Sequence, residues 1–255
     1  MKISVLTVSY NSAATIRQTL DSFCMQDWPH REMIVIDGAS CDGTSDIVRS
    51  YAGETITLVS EPDRGMYDAL NKALALYRGD AFGVLNSDDR YHDEGVLTSV
   101  AMALRDADAV QGHLDFVDGA QVRRRWRAEP RPASGFRSGW MPAHPTFYVR
   151  RHVADAVGRF DLTYAVASDY DWMLRAVDRC GFSIATLDRV MVDMALGGRS
   201  TRGLGAYVGH NLEALRARQR WLGAGLVDFA LFAKPGRKLR QFVAPRSGRQ
   251  GMHVA

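Results

Sequence analysis

Short β-branched runs alternate, over the first 85 residues, with stretches whose apolar side chains recur at helical spacing. Lys2–Val8 alternates and reads as a strand. Ile16, Leu20, Phe23 and Cys24 then share one helix face. Met33–Asp37 is a second strand, followed by a short helix carrying Ile47, Val48 and Tyr51. Thr55–Ser60 is a third strand. A helix with Leu70, Ala73, Leu74 and Tyr77 on its inner face leads to a fourth, Ala81–Leu85. Such alternation builds a mostly parallel sheet with helices on both faces. Ligands in these sheets bind beyond the carboxyl ends of the strands. Each strand here ends in a polar cluster, so Tyr10, Asp37, Asp63, Arg64, Asp88 and Asp89 are expected to converge although they are far apart in sequence.

The last cluster, Leu85-Asn86-Ser87-Asp88-Asp89, carries the chemistry. Adjacent carboxylates at the end of a buried strand repel each other. A divalent cation removes that conflict. Mg2+ and Mn2+ take hard oxygen ligands and complete their shells with phosphate oxygens and water. The competing reading is a polar turn capping the next helix. No G-x-G-x-x-G follows strand one and no Walker Gly-Lys-Ser/Thr is present. A bound nucleotide would therefore have its phosphates neutralised by metal rather than by a glycine cradle.

The length allows one large domain or two small ones. Three scattered cysteines form neither a metal spacing nor a disulfide framework, which predicts a reducing, cytoplasmic compartment. Lys2–Val8 is too short for a signal peptide, and no window reads as a spanning helix. The net charge of +3 hides an asymmetry. Residues 1–120 hold 9 Lys/Arg and 19 Asp/Glu, a balance of −10; the remaining 23 and 10 give +13. An acidic half suits a metal site and a basic half suits anionic partners, though small proteins are also uneven by chance.

Beyond Asp89, Val96–Leu104 reads as a helix, Ala107–Leu114 as a strand, and Asp118-Gly119 as a hairpin turn before Gln121–Trp126. Arg123, Arg124, Arg125 and Arg127 suit either phosphate binding or a charged edge strand. Residues 128–142 read as a loop. His144–Val149 reads as a strand opened by a histidine that is either structural or functional. Ser168 and Asp171 have capping-box spacing, while Asp169 at the same helix start is placed to act as a general base. Ile184–Leu187 and Val190–Val192 are two predicted strands. Gly197–Gly203 is a flexible cationic loop whose arginines are placed to close over a diphosphate, or an ordinary surface loop. A helix is expected over Ala206–Trp221. The apolar Trp221–Phe232 and the basic residues after it suit a membrane-surface anchor, or a packed helix with a disordered basic tail.

TVSYN at 7–11, VIDGASCDGT at 35–44, SEPDRGMYDALNKAL at 60–74, LNSDD at 85–89, HPTFYVRR at 144–151, SDYDWMLR at 168–175 and GGRST at 197–201 occur in one order. Together they resemble glycosyltransferase family 2, particularly bacterial members that build polysaccharides and glycolipids. The resemblance spans roughly residues 1–205 and matches the last 50 only loosely. It implies an α/β chain with a GT-A fold, Rossmann-like and mostly parallel, with a smaller acceptor-side sheet. Residues 1–110 would form the nucleotide-sugar half, 111–205 the acceptor half, and 206–255 a helical and basic tail. The implied activity is metal-dependent transfer of a sugar, with inversion, from a nucleotide diphosphate donor to a hydroxyl.

Carried over by position, Thr7, Ser9 and Tyr10 resemble the base-binding edge. Asp37 resembles the carboxylate that reads the nucleobase, commonly uracil, and Arg64 lies near a nucleotide-contacting arginine. Asp88 and Asp89 resemble the DxD-type pair, Asp88 towards the ribose and Asp89 holding Mn2+ or Mg2+ on the diphosphate. Asp169 resembles the catalytic base. Many members have Glu-Asp where this chain has Ser168-Asp169, so a helper carboxylate is absent and Asp171 is the substitute at hand. His144, Arg199 and Ser200 are candidate acceptor or loop contacts. The expected partners are a UDP-sugar and a lipid-linked or polysaccharide acceptor at the inner membrane face, with no nucleic acid. Two alternatives stand beside this reading. A sugar-phosphate nucleotidyltransferase would want a Gly-rich basic loop after strand one. An inactive nucleotide-sugar-binding scaffold subunit would bind donor without turnover.

Overall fold

The computed structural model describes residues 1–196 and 204–225, residues 204–208 as backbone. Arg199 and Ser200, and the basic tail beyond residue 225, lie outside the described residues. The first half folds as β1 (Ile3–Ser9), α1 (Ile16–Cys24), β2 (Arg31–Asp37), α2 (Thr44–Arg49), β3 (Ile56–Ser60), α3 (Met66–Leu76) and β4 (Ala81–Val84). These four strands pair in parallel in the order β3-β2-β1-β4. The strand period of two divides their side chains between two helical layers. Leu6, Val8, Ile34, Ile36, Phe82 and Val84 pack under α3 and the later helices. Ile3, Val5, Met33, Val35, Ile56 and Ala81 pack against α1, α2 and α4. The strand register places Ser9 opposite Asp37, and Asp37 opposite Ser60, in one row across three strands at their carboxyl ends.

The second half adds β5 (Asp89–Tyr91), α4 (Val96–Ala103), β6 (Ala109–Asp118), β7 (Gln121–Trp126), β8 (Tyr148–Arg150), α5 (Arg151–Val157), α6 (Ser168–Leu174), β9 (Ile184–Ala195) and α7 (Leu204–Leu222). The sheet continues β4-β8-β6-β9-β5, with β7 on β6. β8 runs antiparallel to both β4 and β6, while β6 and β9 are parallel. One nine-stranded sheet therefore carries both halves of the chain.

Several sequence expectations are corrected. His144 does not open a strand. Pro145 supplies no N–H, and His144–Thr146 forms a 3-10 turn before β8. Ile184–Leu187 and Val190–Val192 are not two strands but parts of β9, which pairs along β6 with register shifts near His113. The arginines of β7 already have partners within the chain. Arg123 binds Asp118, Arg125 binds Asp115 through two hydrogen bonds, and Arg124 stacks on Phe116. Helix α6 has no side-chain cap, so Ser168 and Asp171 form no capping box. Its N-terminal approach is held instead by α7: the Glu213 carboxylate accepts the backbone N–H groups of Ala165, Val166 and Ala167, each at 2.9 Å. Further along α7, Arg218 donates to Tyr170 at 2.7 Å and Trp221 to Asp171 at 2.7 Å. Ala214 and Ala217 are fully buried.

Gly83 in β4 lies opposite Tyr148, and a Cβ there would enter the tyrosine ring. The ring cannot step aside freely, because the Tyr148 and Tyr91 hydroxyls share a buried hydrogen bond of 2.6 Å. Gly83→Ala is expected to destabilise the fold by about 1–3 kcal/mol, the usual cost of overpacking a core. Thermal melting by circular dichroism checks this; an unchanged Tm would contradict the packing described.

Candidate active site

The turns after β1 and β2 are laced together. Asn11 N–H donates to Ser40 Oγ at 2.8 Å, Ser12 N–H to Thr44 Oγ1 at 2.8 Å, and Cys41 N–H to Asn11 Oδ1 at 3.1 Å. Ser12 also meets Ser87 of the β4–β5 loop, Oγ to Oγ, at 2.9 Å. Asn11 and Ala39 sit at φ +50 and +59, left-handed conformations rare for residues with a Cβ. The β3–α3 turn joins them: a Cβ on Gly38 would lie 2.6 Å from Asp63 Oδ2 and 3.3 Å from the Tyr10 ring. Tyr10, Asp63 and the ends of β1, β2 and β4 therefore meet at one edge, as the alternation predicts. Arg64 stands at the same turn, exposed, and paired with Asp68 at 3.0 Å.

Asp37 is fully buried at this edge. Its neighbours in the cross-strand row donate to it, Ser9 at 3.1 Å and Ser60 at 2.7 Å. Ser40 adds its hydroxyl at 2.5 Å and its N–H at 3.0 Å. Burial works to raise the carboxyl pKa, but these hydrogen bonds outweigh it and hold the group below its ordinary value. The result is a permanent anion wrapped in serine hydroxyls, with the half-exposed Tyr10 ring beside it. Thr7 is different. It is fully buried in β1, and its hydroxyl has no hydrogen-bond partner.

At the end of β4 the chain turns through Asn86–Asp88 into β5. Gln18 and Thr19 of α1 hold that turn, donating to the carbonyls of Asp88 and Asp89 at 3.2 and 2.7 Å. Asp88 is partly exposed and Asp89 fully buried. Asn86 donates to Asp89 Oδ2 at 3.0 Å and the backbone of Ala195 adds a weaker favourable contact, while among the described residues Oδ1 has no partner of full hydrogen-bond geometry. Burial raises the pKa of Asp88. Burial and the neighbouring Asp88 charge push Asp89 up to about 8. An orphaned carboxylate oxygen beside a second carboxylate, with no cationic side chain among the causes of either shift, fits a hard divalent cation. A different acidic group, His92, Asp115 and Asp193, also has metal-ligand spacing. It is already neutralised: Arg125 binds Asp115 at 2.6 Å, and Arg90 and His92 bind Asp193 at 3.0 and 2.8 Å.

Asp169 projects from the first turn of α6. Tyr67 Oη donates to its Oδ1 at 3.1 Å, and His144 Nδ1 lies 3.7 Å from its Oδ2. Burial lowers the His144 pKa, partly offset by the Asp169 charge, so the imidazole is neutral at pH 7. Asp171 is unavailable as a helper carboxylate. Its oxygens accept from Arg175 at 2.8 Å and Trp221 at 2.7 Å on the far side of the helix. The hydroxyl of Ser168 is buried without a partner.

The glycosyl transferase family 2 model matches residues 4–168, a span that holds Asp37, Asp88 and Asp89 and stops one residue short of Asp169. The chain belongs to glycosyltransferase family 2. Among family relatives, a PGL/p-HBAD biosynthesis glycosyltransferase of Mycobacterium bovis is 27% identical over 186 residues, 68% of each chain. The fold matches that of Staphylococcus aureus TarS 1–349, solved in complex with UDP-GlcNAc, at a TM-score of 0.70 and 20% identity, covering 91% of this chain and 69% of that one. A mannosyltransferase of Pyrobaculum calidifontis, solved with GDP-Man and Mn2+, matches at a TM-score of 0.64 and 22% identity, covering 94% of this chain and 69% of that one.

Sequence reasoning missed Tyr67, which at three residues before Leu70 reads as part of the apolar face of α3. It also missed Ser60, Ser40 and Asn86, whose roles depend on register and turn geometry, and Glu213, which acts on backbone 46 residues away.

The raised pKa of Asp89 has a measurable consequence. Below about pH 4 the group is protonated in both the folded and unfolded states. Between there and about 8, the folded state keeps a proton that the unfolded state has lost. Its contribution to stability therefore falls as pH rises through that window. A divalent cation competes with this proton. The gain in Tm on adding Mn2+ is expected to be larger at pH 8 than at pH 6, and Asp89→Asn should remove most of it. Differential scanning fluorimetry at the two pH values checks the sign; a gain independent of pH and of Asp89 would contradict the assignment.

Proposed function

We propose that this family 2 glycosyltransferase moves a sugar, with inversion, from a nucleotide diphosphate donor, a UDP-sugar, to a hydroxyl of a lipid-linked or polysaccharide acceptor. The observation that carries this reading is the gathering of a nucleoside-facing edge and an unneutralised carboxylate pair at the carboxyl ends of the strands, within a family 2 chain that also carries a carboxylate at the start of α6. UDP-GlcNAc bound to TarS supports a UDP donor, and the mycobacterial relative's part in PGL/p-HBAD biosynthesis supports a glycolipid or polysaccharide acceptor.

In this mechanism the Tyr10 ring offers a face to the nucleobase, and Asp37, with Ser9 and Ser40, reads its polar edge. Arg64 reaches the nucleotide after leaving Asp68. Asp88, the more open of its pair, faces the ribose and diphosphate. Asp89, through its unpartnered oxygen, would hold Mn2+ or Mg2+, and the ion would supply positive charge to the leaving diphosphate. Asp169 accepts the proton of the acceptor hydroxyl. That oxygen forms its bond to C1 from the face opposite the diphosphate, while the C1–O bond breaks and UDP departs with the electron pair. His144 lines the acceptor side of the base. In this reading residues 1–110 form the donor half and 111–205 the acceptor half. Among the described residues no helix is long and apolar enough to cross a membrane. The basic residues after Phe232 suit contact with anionic lipid head groups at the cytoplasmic membrane face, where a lipid-linked acceptor would be met.

The test is release of UDP from a panel of UDP-sugars offered with lipid-linked and polysaccharide acceptors. Wild type is expected to turn over one donor. Asp169→Asn is expected to lose at least about 100-fold in kcat, the low end of what a positioned general base contributes, with donor binding retained. Release of pyrophosphate, or full activity in Asp169→Asn, would contradict the reading.

A further inference from the structure

The two oxygens of Asp169 stand in different surroundings. Oδ1 accepts the Tyr67 hydroxyl at 3.1 Å. Oδ2 has the His144 imidazole 3.7 Å away, beyond direct hydrogen-bond length. The Tyr67 ring is fixed independently of that bond. It is almost fully buried in the first turn of α3 and stacks on Phe160, centroid to centroid 6.0 Å, which stacks in turn on Trp172 at 5.7 Å. Asn71, one turn further along α3, grips the Phe160 backbone from both sides, donating to its carbonyl at 3.0 Å and accepting its N–H at 2.8 Å. Helix α3 thus locks the segment that leads into α6 and delivers one hydroxyl to the base.

We propose that Tyr67 is a positioning residue: it occupies Oδ1 and so leaves Oδ2, on the His144 side, as the oxygen that takes the acceptor's proton. The inference rests on Asp169 being the base. A carboxylate with both oxygens free can rotate about its χ2. One donor bond removes that freedom without occupying the reacting oxygen. The phenol itself stays protonated, since burial and the Asp169 charge raise its pKa far above the working range. The other titratable groups packed around the base are directed elsewhere. His210 of α7 lies edge-on to the Tyr170 ring, Glu213 caps the backbone of residues 165–167, and Asp171 is bound to Arg175 and Trp221. His144 is the titratable side chain that faces Oδ2.

The test is Tyr67→Phe, which keeps the stacked ring and removes only the hydroxyl. Steady-state kinetics of the full-length protein are expected to show kcat lowered several-fold with donor KM unchanged, while thermal melting gives an unchanged Tm. Loss of fold would instead lower Tm and the active fraction together. An unchanged kcat in Tyr67→Phe, or a fall in kcat matched by a fall in Tm, overturns the inference. An active Asp169→Asn instead overturns the base assignment, so the two failures are distinct.

Discussion

Among the described residues, the two carboxylates at the end of β4 lack a neutralising partner, and the surrounding turns hold them in place. Gln18 and Thr19 pin the carbonyls beside them, Asn86 binds one oxygen of Asp89, and Ser12 ties the loop to the turn after β1. Among the described residues Arg90, Arg125 and Arg189 bind other carboxylates. A chain that buries Asp89 with an orphaned oxygen carries an electrostatic cost in isolation. In the proposed function a cation and a diphosphate would offset that cost.

The same edge contains a second buried carboxylate solved in the opposite way. Asp37 is ionised because serines at both neighbouring strand ends and in its own turn donate to it. The difference between Asp37 and Asp89 is one of hydrogen-bond supply, since burial acts in the same direction on both. Satisfied by the protein, Asp37 suits recognition of a neutral polar group. Left unsatisfied, Asp89 suits a cation.

The first four strands of this arrangement were legible in the sequence because they are local, β-branched and closed by polar turns, and because parallel topology puts those turns together. Several elements after Asp88 were not. β5 is the tripeptide Asp89-Arg90-Tyr91, whose pairing partner Val192–Met194 lies about a hundred residues away, so no local pattern marks it as a strand. His144 looked like the start of a strand, and Pro145 made it a turn that carries the imidazole to Asp169. Ser168 and Asp171 had the spacing of a capping box, but the neighbouring helix supplied Glu213 instead, and the side chain of Asp171 was drawn away by Arg175 and Trp221. In each case a tertiary partner overrode a sound local signal. Helix α6 is accordingly held by α3 on one side and α7 on the other, elements that the sequence does not link to it.

The central claim is that the strand ends form a metal-assisted nucleotide diphosphate site. Titration calorimetry of UDP against the full chain, with and without Mn2+, tests it most directly when repeated on Asp89→Asn. The account predicts binding that strengthens markedly with Mn2+ in wild type and loses that dependence in the variant. UDP binding of equal strength with and without Mn2+, unaffected by Asp89→Asn, would contradict it.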